Sequence, residues 1–225
     1  MFHCDPSDPH MGYKSWDEFF TRYFKEEARP LASPDDDNVI ANACESKTYA
    51  VARDVKRRDK FWLKGQPYSV VDMLAQDPLA DQFVGGTVYH AFLSALSYHR
   101  WHAPVSGKLV KAYVVDGTYY SEPLFGDFAP NKSADPAAIM FFEADNPAIG
   151  LMAFLDIGMC EVSTCEMTVK EGQHVKKGDE IGMFHFGGST HCMMFRKGVE
   201  VEGFPEPHPE HNIPVRSEVA RVKST

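Results

Sequence analysis

The sequence predicts an α+β fold that is mainly β, with a barrel-sandwich-like antiparallel sheet core behind a short N-terminal helical region. Two patterns indicate this fold. Aromatic residues recur at helical spacing between residues 16 and 24, before a stop at Pro30. From residue 86 onwards, short segments rich in Val, Ile, Phe, Tyr and Met alternate with glycine turns. Since 225 residues, 44% of them hydrophobic, can bury one core, we expect a single domain over residues 1–225.

Two helices are predicted in the first third of the chain. Ser15 followed by Glu18 has the form of a capping box, and it opens the aromatic segment. A second short helix is predicted over residues 69–74, with Ser69 as its N-cap, and it ends before Pro78. We interpret the aromatic stripe of the first helix as a packing face. Its members are Trp16, Phe19, Phe20, Tyr23 and Phe24.

The strands are predicted from short apolar runs between turns. One stretch, residues 167–182, is similar to half of a biotinyl or lipoyl carrier domain but lacks the modifiable lysine, which favours shared architecture over carrier function. Residues 118–137 interrupt the strand pattern and are either a lid over an apolar or aromatic substrate or a surface insertion. The predicted strands are 86–97, 108–116, 138–144, 149–156, 161–169 and 180–186.

Composition predicts a cytoplasmic protein. The net charge of −9 argues against binding to nucleic acid or to anionic membranes. No stretch approaches the roughly 18 to 20 apolar residues of a membrane-spanning helix, and the first ten residues do not resemble a signal peptide. Five cysteines without a C-x-x-C spacing indicate free thiols in a reducing compartment. His185, His191 and Cys192 lack the short paired spacing of a metal site, so we predict no metal.

Residues 187–189 read Gly-Gly-Ser, a string that is usually a turn between strands. It also suits self-cleavage, because glycines permit the unusual backbone that lets a serine attack its own preceding carbonyl. A serine hydroxyl needs an imidazole base, which in turn needs a carboxylate, and His102 is our candidate base. Attack by Ser189 on the Gly188 carbonyl would give an ester. Elimination would then leave dehydroalanine, and hydrolysis would release ammonia and leave a pyruvoyl group.

Four segments in a fixed order resemble the phosphatidylserine decarboxylases, which are pyruvoyl-dependent enzymes. Residues 98–107 read Y-H-R-W-H-A-P-V-S-G and are similar to the family pattern Y-H-R-x-H-x-P-x-x-G. Residues 188–190 read G-S-T and are similar to the processing site G-S-[ST]. Residues 15–30 resemble the opening of the catalytic region, and residues 64–69 resemble its K-G-x-x-Y-S stretch. The resemblance covers roughly residues 15 to 200.

The chain departs from the family pattern at two places. Where the family has the triad aspartate in an A-D-G turn, residues 43–46 read A-C-E-S, so Glu45 is the candidate carboxylate. Asp54, Asp59 and Asp156 are the alternatives. The family's membrane enzymes also carry a hydrophobic N-terminal helical region that these residues do not supply. The A-C-E-S, Y-H-R-W-H and F-H-F-G-G-S strings resemble most the fungal branch that decarboxylates free L-tryptophan and related amino acids.

The resemblance implies a proenzyme that processes itself. His102, oriented by Glu45, would activate Ser189, and autocatalytic cleavage at Gly188-Ser189 would separate a β chain of residues 1–188 from an α chain of residues 189–225. The two fragments are expected to stay associated.

The resemblance also implies amino-acid decarboxylation by the pyruvoyl group made from Ser189. Its ketone would form a Schiff base with the α-amine of an aromatic, tryptophan-like substrate and accept electrons as carbon dioxide leaves. His99 is the candidate proton donor, since an ordinary histidine pKa suits proton exchange near neutral pH. The candidate pocket residues are Trp101, Tyr119, Tyr120 and Phe125.

Three other functions stay open at this point. A phosphatidylserine decarboxylase that makes phosphatidylethanolamine would use the same chemistry on a lipid. A serine hydrolase could use Ser189, His102 and Glu45 without cutting its own chain. A non-catalytic barrel-sandwich binding module would need neither reaction.

Overall fold

A computed structural model describes residues 1–58, 69–94, 96–116, 137–158, 164–185 and 189–223. Several predicted features therefore lie outside the described residues: nearly all of the loop 118–137 and of the stretch 64–69, together with Asp59, Tyr119, Tyr120, Phe125 and Gly188.

The predicted N-terminal helical region is confirmed, but its first helix ends at Phe20, before Tyr23 and Phe24 of the aromatic stripe. The first helix, α1, spans Trp16–Phe20, and the Ser15 hydroxyl accepts a hydrogen bond from the Glu18 backbone N–H at 3.0 Å. The Glu18 carboxylate in turn accepts a hydrogen bond from the backbone N–H of Lys14 at 2.6 Å. The second helix, α2, spans Val70–Met73 and ends before Pro78, as predicted. None of the described helices has the length and apolar character needed to cross a membrane.

The described residues also form short 3-10 helices at Pro9–Gly12, Glu26–Ala28 and Pro78–Phe83. Most of the ordered structure is β, which confirms the predicted fold class, and all six predicted strands are found within a few residues of their expected bounds. The described strands are β1 Val39–Ala41, β2 Lys47–Arg53, β3 Thr87–Leu93, β4 Arg100–His102, β5 Gly107–Val115, β6 Ala137–Ala144, β7 Leu151–Gly158, β8 Thr164–Met167, β9 His174–Val175, β10 Glu180–His185, β11 Ser189–Phe195, β12 Val201–Glu202 and β13 Glu218–Val222.

These strands form three antiparallel sheets. The largest has seven strands in the order β2-β3-β11-β7-β6-β5-β9, and the two smaller ones have the orders β1-β13-β12 and β4-β10-β8. Strand β11 pairs along its whole length with β3 on one side and with β7 on the other. All seven of its residues are buried. The strand that begins at Ser189 is therefore an interior strand of the large sheet, third in the order of its seven strands.

The two faces of the large sheet pack against different parts of the chain. On the face that we call inner, Leu93, Phe154 and Met193 join a large cluster that also contains Trp101 and Phe184 from the β4-β10-β8 sheet. The opposite, outer face contributes to a smaller cluster with α2 and a 3-10 helix. Side chains alternate between the faces along each strand. Odd-numbered residues of β11 therefore point towards the inner face.

Gly182 allows β4 and β10 to pack closely, so we expect Gly182→Ala to destabilise the protein. An added Cβ would lie 2.3 Å from a Trp101 ring carbon and 2.5 Å from the Glu166 carbonyl oxygen. Overpacking of this kind typically costs about 3 kcal/mol at the upper end of its range, which urea unfolding would measure. Gly172→Ala is the matched control. An added Cβ at Gly172 would have open space around it, so the only cost is the backbone strain of a φ of +85°. We expect it to cost about 1 kcal/mol, and an equal loss in both variants would contradict the steric explanation.

Candidate functional site

Ser189 begins β11 and is completely buried. It lies opposite Leu93 on β3 and Gly158 on β7 in the two ladders. Its Oγ has no hydrogen-bond partner among the described residues. Buried polar atoms are nearly always paired, because an unpaired one costs about 1–3 kcal/mol. A catalytic role is one explanation for such an atom. Ser189 directly follows the predicted cleavage position.

His99 lies just before β4, beside the end of β10 that leads to Ser189. Its ring stacks on Phe20 with centroids 4.0 Å apart, and its carbonyl accepts a hydrogen bond from the Phe184 N–H at 2.9 Å. Neither ring nitrogen makes a hydrogen bond of normal geometry within the described ranges. Burial lowers the pKa of His99 to about 3, the charge of Arg22 adds to this effect, and the Ser97 backbone opposes it. His99 is therefore neutral.

His102, in β4, uses both of its ring nitrogens. Nδ1 lies 2.9 Å from the Gly178 carbonyl oxygen, and Nε2 lies 3.1 Å from the Tyr98 hydroxyl. Because a carbonyl only accepts, we assign the proton to Nδ1, and Nε2 accepts from Tyr98. Arg216 Nε approaches Nδ1 at 3.3 Å, but it donates to the Gly178 carbonyl at 3.1 Å, since a protonated Nδ1 cannot accept. Burial lowers the pKa of His102 to about 3, and Arg216 lowers it further.

Glu45 has other partners than the expected one. Its carboxylate accepts two hydrogen bonds from the Arg29 guanidinium, at 2.8 and 2.5 Å, and one from the Val215 backbone N–H at 2.9 Å. The planar fork of a guanidinium matches a carboxylate better than a neutral imidazole does. The structure therefore does not join Glu45 to His102. The Gly178 carbonyl orients that ring instead.

We expect Glu45→Gln to lower stability without preventing the self-cleavage that the sequence predicts. The variant removes the negative charge of Glu45, which is nearly buried. The side chain of its partner Arg29 is 18% exposed. Hydrogen bonds to charged groups contribute about 2 kcal/mol, so urea unfolding should show a loss of that order. Mass spectrometry of the denatured chain would measure cleavage. An uncut Glu45→Gln protein that is still folded would restore Glu45 as the triad carboxylate.

The alternative carboxylates lie in different environments. Asp54 is on the surface in an ion pair with Lys56. Asp156 is completely buried in β7, with Oδ1 3.9 Å from the Cys44 thiol and Oδ2 unpaired among the described residues. Burial raises the pKa of Asp156 well above its ordinary value. Of these two carboxylates, only Asp156 lies on a strand that pairs with β11.

Trp101, the described member of the predicted pocket, is fully buried in the core. Its ring meets Phe184 edge-on at 4.8 Å, and its Nε1 has no partner in the described part of the chain. Its role in substrate binding stays a prediction. His185 contacts Asp17 and Glu166 through its two nitrogens. Within the described ranges, no group of three His, Cys, Asp or Glu side chains could hold a metal ion.

Tyr98 and Gly178, the hydrogen-bond partners of His102, and the nearby Arg216 were not predicted from the sequence. Tyr98 is the first residue of the Y-H-R-W-H string, so the sequence does mark its position. No sequence pattern marks Arg216, since it lies 114 residues from His102 and only the fold brings the two together.

The model of the phosphatidylserine decarboxylase family matches residues 16–216. The chain belongs to this family. The match begins in α1, ends beyond Val215, and includes Ser189, His99 and His102.

The relatives within the family are named either as fungal decarboxylases or as phosphatidylserine decarboxylase proenzymes. The chain is 49% identical to the decarboxylase iboD of Amanita muscaria, over 85% of the chain and 61% of that protein. It is 42% identical to the L-tryptophan decarboxylase of Psilocybe cubensis, over 92% of the chain and 52% of that protein. It is 33% identical to a phosphatidylserine decarboxylase proenzyme of rice, over 84% of the chain and 30% of that protein. The chain thus spans about half to three fifths of the length of the two fungal relatives.

Proposed function

We propose that this chain is the catalytic region of a pyruvoyl-dependent decarboxylase that acts on a free, tryptophan-like L-amino acid. Serine-dependent self-cleavage at Gly188-Ser189 would produce its cofactor. The observation that carries this proposal is the buried, unpartnered Oγ of Ser189 at the first position of β11. The fungal relatives named as decarboxylases, at 42 to 49% identity, support the substrate class.

The surroundings of Ser189 fit its conversion into a pyruvoyl group. The hydroxyl makes no hydrogen bond with a described residue, so losing it breaks no contact there. A pyruvoyl group supplies a carbonyl that withdraws electrons from the carbon that loses carbon dioxide. Pairing of β11 with β3 and β7 fixes the position of residue 189, and the buried Leu93 and Phe184 help to exclude water.

The same strands hold the fragments together after cleavage. Residues 189–225 contain β11, β12 and β13. Strand β11 is bonded on both sides to strands of residues 1–188, and β13 pairs with β1. We therefore propose that the α and β chains form one interleaved sheet structure.

His99 is the group that we propose to carry the proton in decarboxylation. With a pKa near 3, His99 is unprotonated before the substrate binds. It therefore cannot act as a proton donor at once, as an ordinary histidine pKa had led us to expect. A substrate carboxylate beside the ring would raise this pKa. His99 would then take a proton from the substrate ammonium group and return it to the carbon atom after carbon dioxide leaves, so that the proton count balances.

Mass spectrometry of the denatured protein tests the cleavage. We expect two fragments, residues 1–188 and 189–225, with the smaller one blocked at its N-terminus by a pyruvoyl group. An intact chain that is nevertheless active would refute the proposal. The substrate is tested by measuring carbon dioxide release from tryptophan, tyrosine, phenylalanine, aspartate and phosphatidylserine. Inactivity on all three aromatic acids would refute that choice.

Phosphatidylserine is the second candidate substrate, because relatives at 29 to 34% identity are phosphatidylserine decarboxylase proenzymes. Binding to liposomes and release of phosphatidylethanolamine would favour it. The net charge of −9 makes attraction to an anionic lipid surface unfavourable.

A further inference from the structure

Aromatic side chains line a cavity of about 390 Å³ on the outer face of the large sheet. The buried residues His90 and Thr190 lie at its base. Phe92 forms one wall and lies directly opposite Thr190 in the β3-β11 ladder. Tyr49 of β2 and His208 complete the aromatic lining. A cavity of this volume is within the size range of sites that bind small molecules.

The segment that follows β12 closes one side of this cavity, and two hydrogen bonds hold it in place. The backbone N–H of His208 donates to the Thr48 carbonyl at 2.8 Å, and Lys47 Nζ donates to the Glu210 carbonyl at 2.6 Å. The rings of Tyr49 and His208 meet edge-on, with their centroids 5.4 Å apart. These two residues would belong to different fragments after cleavage, so both fragments contribute to the cavity.

The cavity adjoins the carbon atom on which decarboxylation would depend. A pyruvoyl ketone made from Ser189 has the Cα of residue 189 as its carbonyl carbon. Consecutive Cα atoms are about 3.8 Å apart, and the next residue, Thr190, lines the cavity. The side chain of Ser189 points to the inner face, but its Cα belongs to the backbone, which both faces of a sheet share. The cavity is therefore one residue away from the reacting carbon.

The lining suits a flat apolar ring better than a lipid headgroup. Phe92 is 38% exposed and is the one exposed residue of β3, so part of its ring is open to a ligand. The rings of Tyr49 and His90 lie 4.9 Å apart beside it. Aromatic rings attract one another through stacked and edge-on contacts. A phosphodiester instead needs cations, and Lys47, the one lysine or arginine of the described lining, already bonds a backbone carbonyl.

We infer that this cavity holds the aromatic side chain of the amino-acid substrate while the substrate's α-amine reacts at residue 189. The inference rests on the proposed function and deepens it, because it identifies the residues that select an aromatic substrate. Phe92 and Tyr49 supply the ring contacts that distinguish tryptophan from small amino acids and from phosphatidylserine.

Binding of tryptamine, the amine that decarboxylation of tryptophan yields, tests the inference without any turnover. Isothermal titration calorimetry of the Ser189→Ala chain, which we expect to stay uncut, measures this binding. In that background we expect Phe92→Ala to weaken binding about tenfold, the effect of losing one aromatic contact. Phe92→Leu, which keeps an apolar side chain, should weaken it less. Unchanged affinity in both variants, or no binding by the Ser189→Ala chain itself, would overturn the inference.

Trp16→Ala is the matched control. Trp16 is 59% exposed and lines a second aromatic cavity, of about 350 Å³, whose described lining lies entirely within residues 10–19. We expect this variant to bind tryptamine as tightly as the Ser189→Ala chain does. Loss of binding in Trp16→Ala, without loss in Phe92→Ala, would place the ring beside α1 and overturn the inference.

Turnover by the self-cleaved chain gives an independent measurement. Phe92→Ala should still be cut, and its KM for tryptophan should rise about tenfold while kcat stays nearly the same, because the ring contact is made both before and during the reaction. A fall in kcat at unchanged KM would contradict a role in binding the ring. If Phe92→Ala does not fold, as judged by its thermal transition, Phe92→Leu decides alone. An uncut wild-type chain would refute the proposed function and leave the tryptamine measurement valid.

Discussion

Replacing Ser189 by alanine is expected to leave the chain uncut and without decarboxylase activity. The variant removes the nucleophile and, with it, the source of the cofactor. It also removes a buried hydroxyl that has no partner among the described residues. Because an unpaired buried polar group costs about 1–3 kcal/mol, we expect the free energy of unfolding to rise by about 1 kcal/mol. Mass spectrometry and urea unfolding would measure the two effects.

Thr190→Val is the matched control for this variant. Thr190 is the next residue of β11 and is equally buried, but its hydroxyl donates to the Ala91 carbonyl at 2.8 Å and contacts His90. We expect Thr190→Val to lose about 1 kcal/mol of stability and still to be cut. Cleavage that persists in Ser189→Ala would show that another nucleophile cuts the chain.

Replacing His99 by glutamine is expected to separate the two stages of the proposed function. The chain should still be cut, but turnover of the amino acid should fall by about a hundredfold or more, because the proton carrier is lost. The fall should appear in kcat and not only in KM, since the ring nitrogens have no structural hydrogen bond of normal geometry to lose.

His174→Gln serves as the control for His99, because His174 is an exposed histidine paired with Asp145. Its turnover should match the wild type. Unchanged turnover in His99→Gln would remove His99 from catalysis, whereas an uncut chain would assign it to the first stage instead.

The parts of the fold that depend on local pattern could be predicted from the sequence. The start of helix α1 follows from its Ser15 cap, although the aromatic spacing extends beyond its end at Phe20. Strands such as β6 and β7 are continuous apolar runs between turns. The interior strand β11 is not predicted. It begins directly after two glycines, and its residues Thr190, His191 and Cys192 give neither an apolar run nor an alternation. Its burial on both faces is a property of the assembled sheet.

The candidate site divides in the same way. Ser189, His99 and His102 are recognisable because they lie within short strings of characteristic composition. The contacts of the site residues depend on the fold: His102 bonds Gly178, 76 residues away, and the candidate carboxylate Glu45 bonds Arg29 and not His102. No local sequence pattern predicts which of several carboxylates will be buried beside a given strand. The position of Asp156 opposite His191 depends on the register between β7 and β11.

The position of β11 between β3 and β7 makes the order of folding and cutting important. In the precursor, β11 follows β10 through a short connection, so the ends that must meet are tethered and refolding is a first-order process. After a cut before Ser189, denaturation releases two separate chains, and renaturation becomes an association whose rate depends on concentration. The α chain must then insert between β3 and β7, two strands that have lost the partner between them. The mature protein would accordingly depend on slow unfolding, and not on reversible refolding, for its persistence.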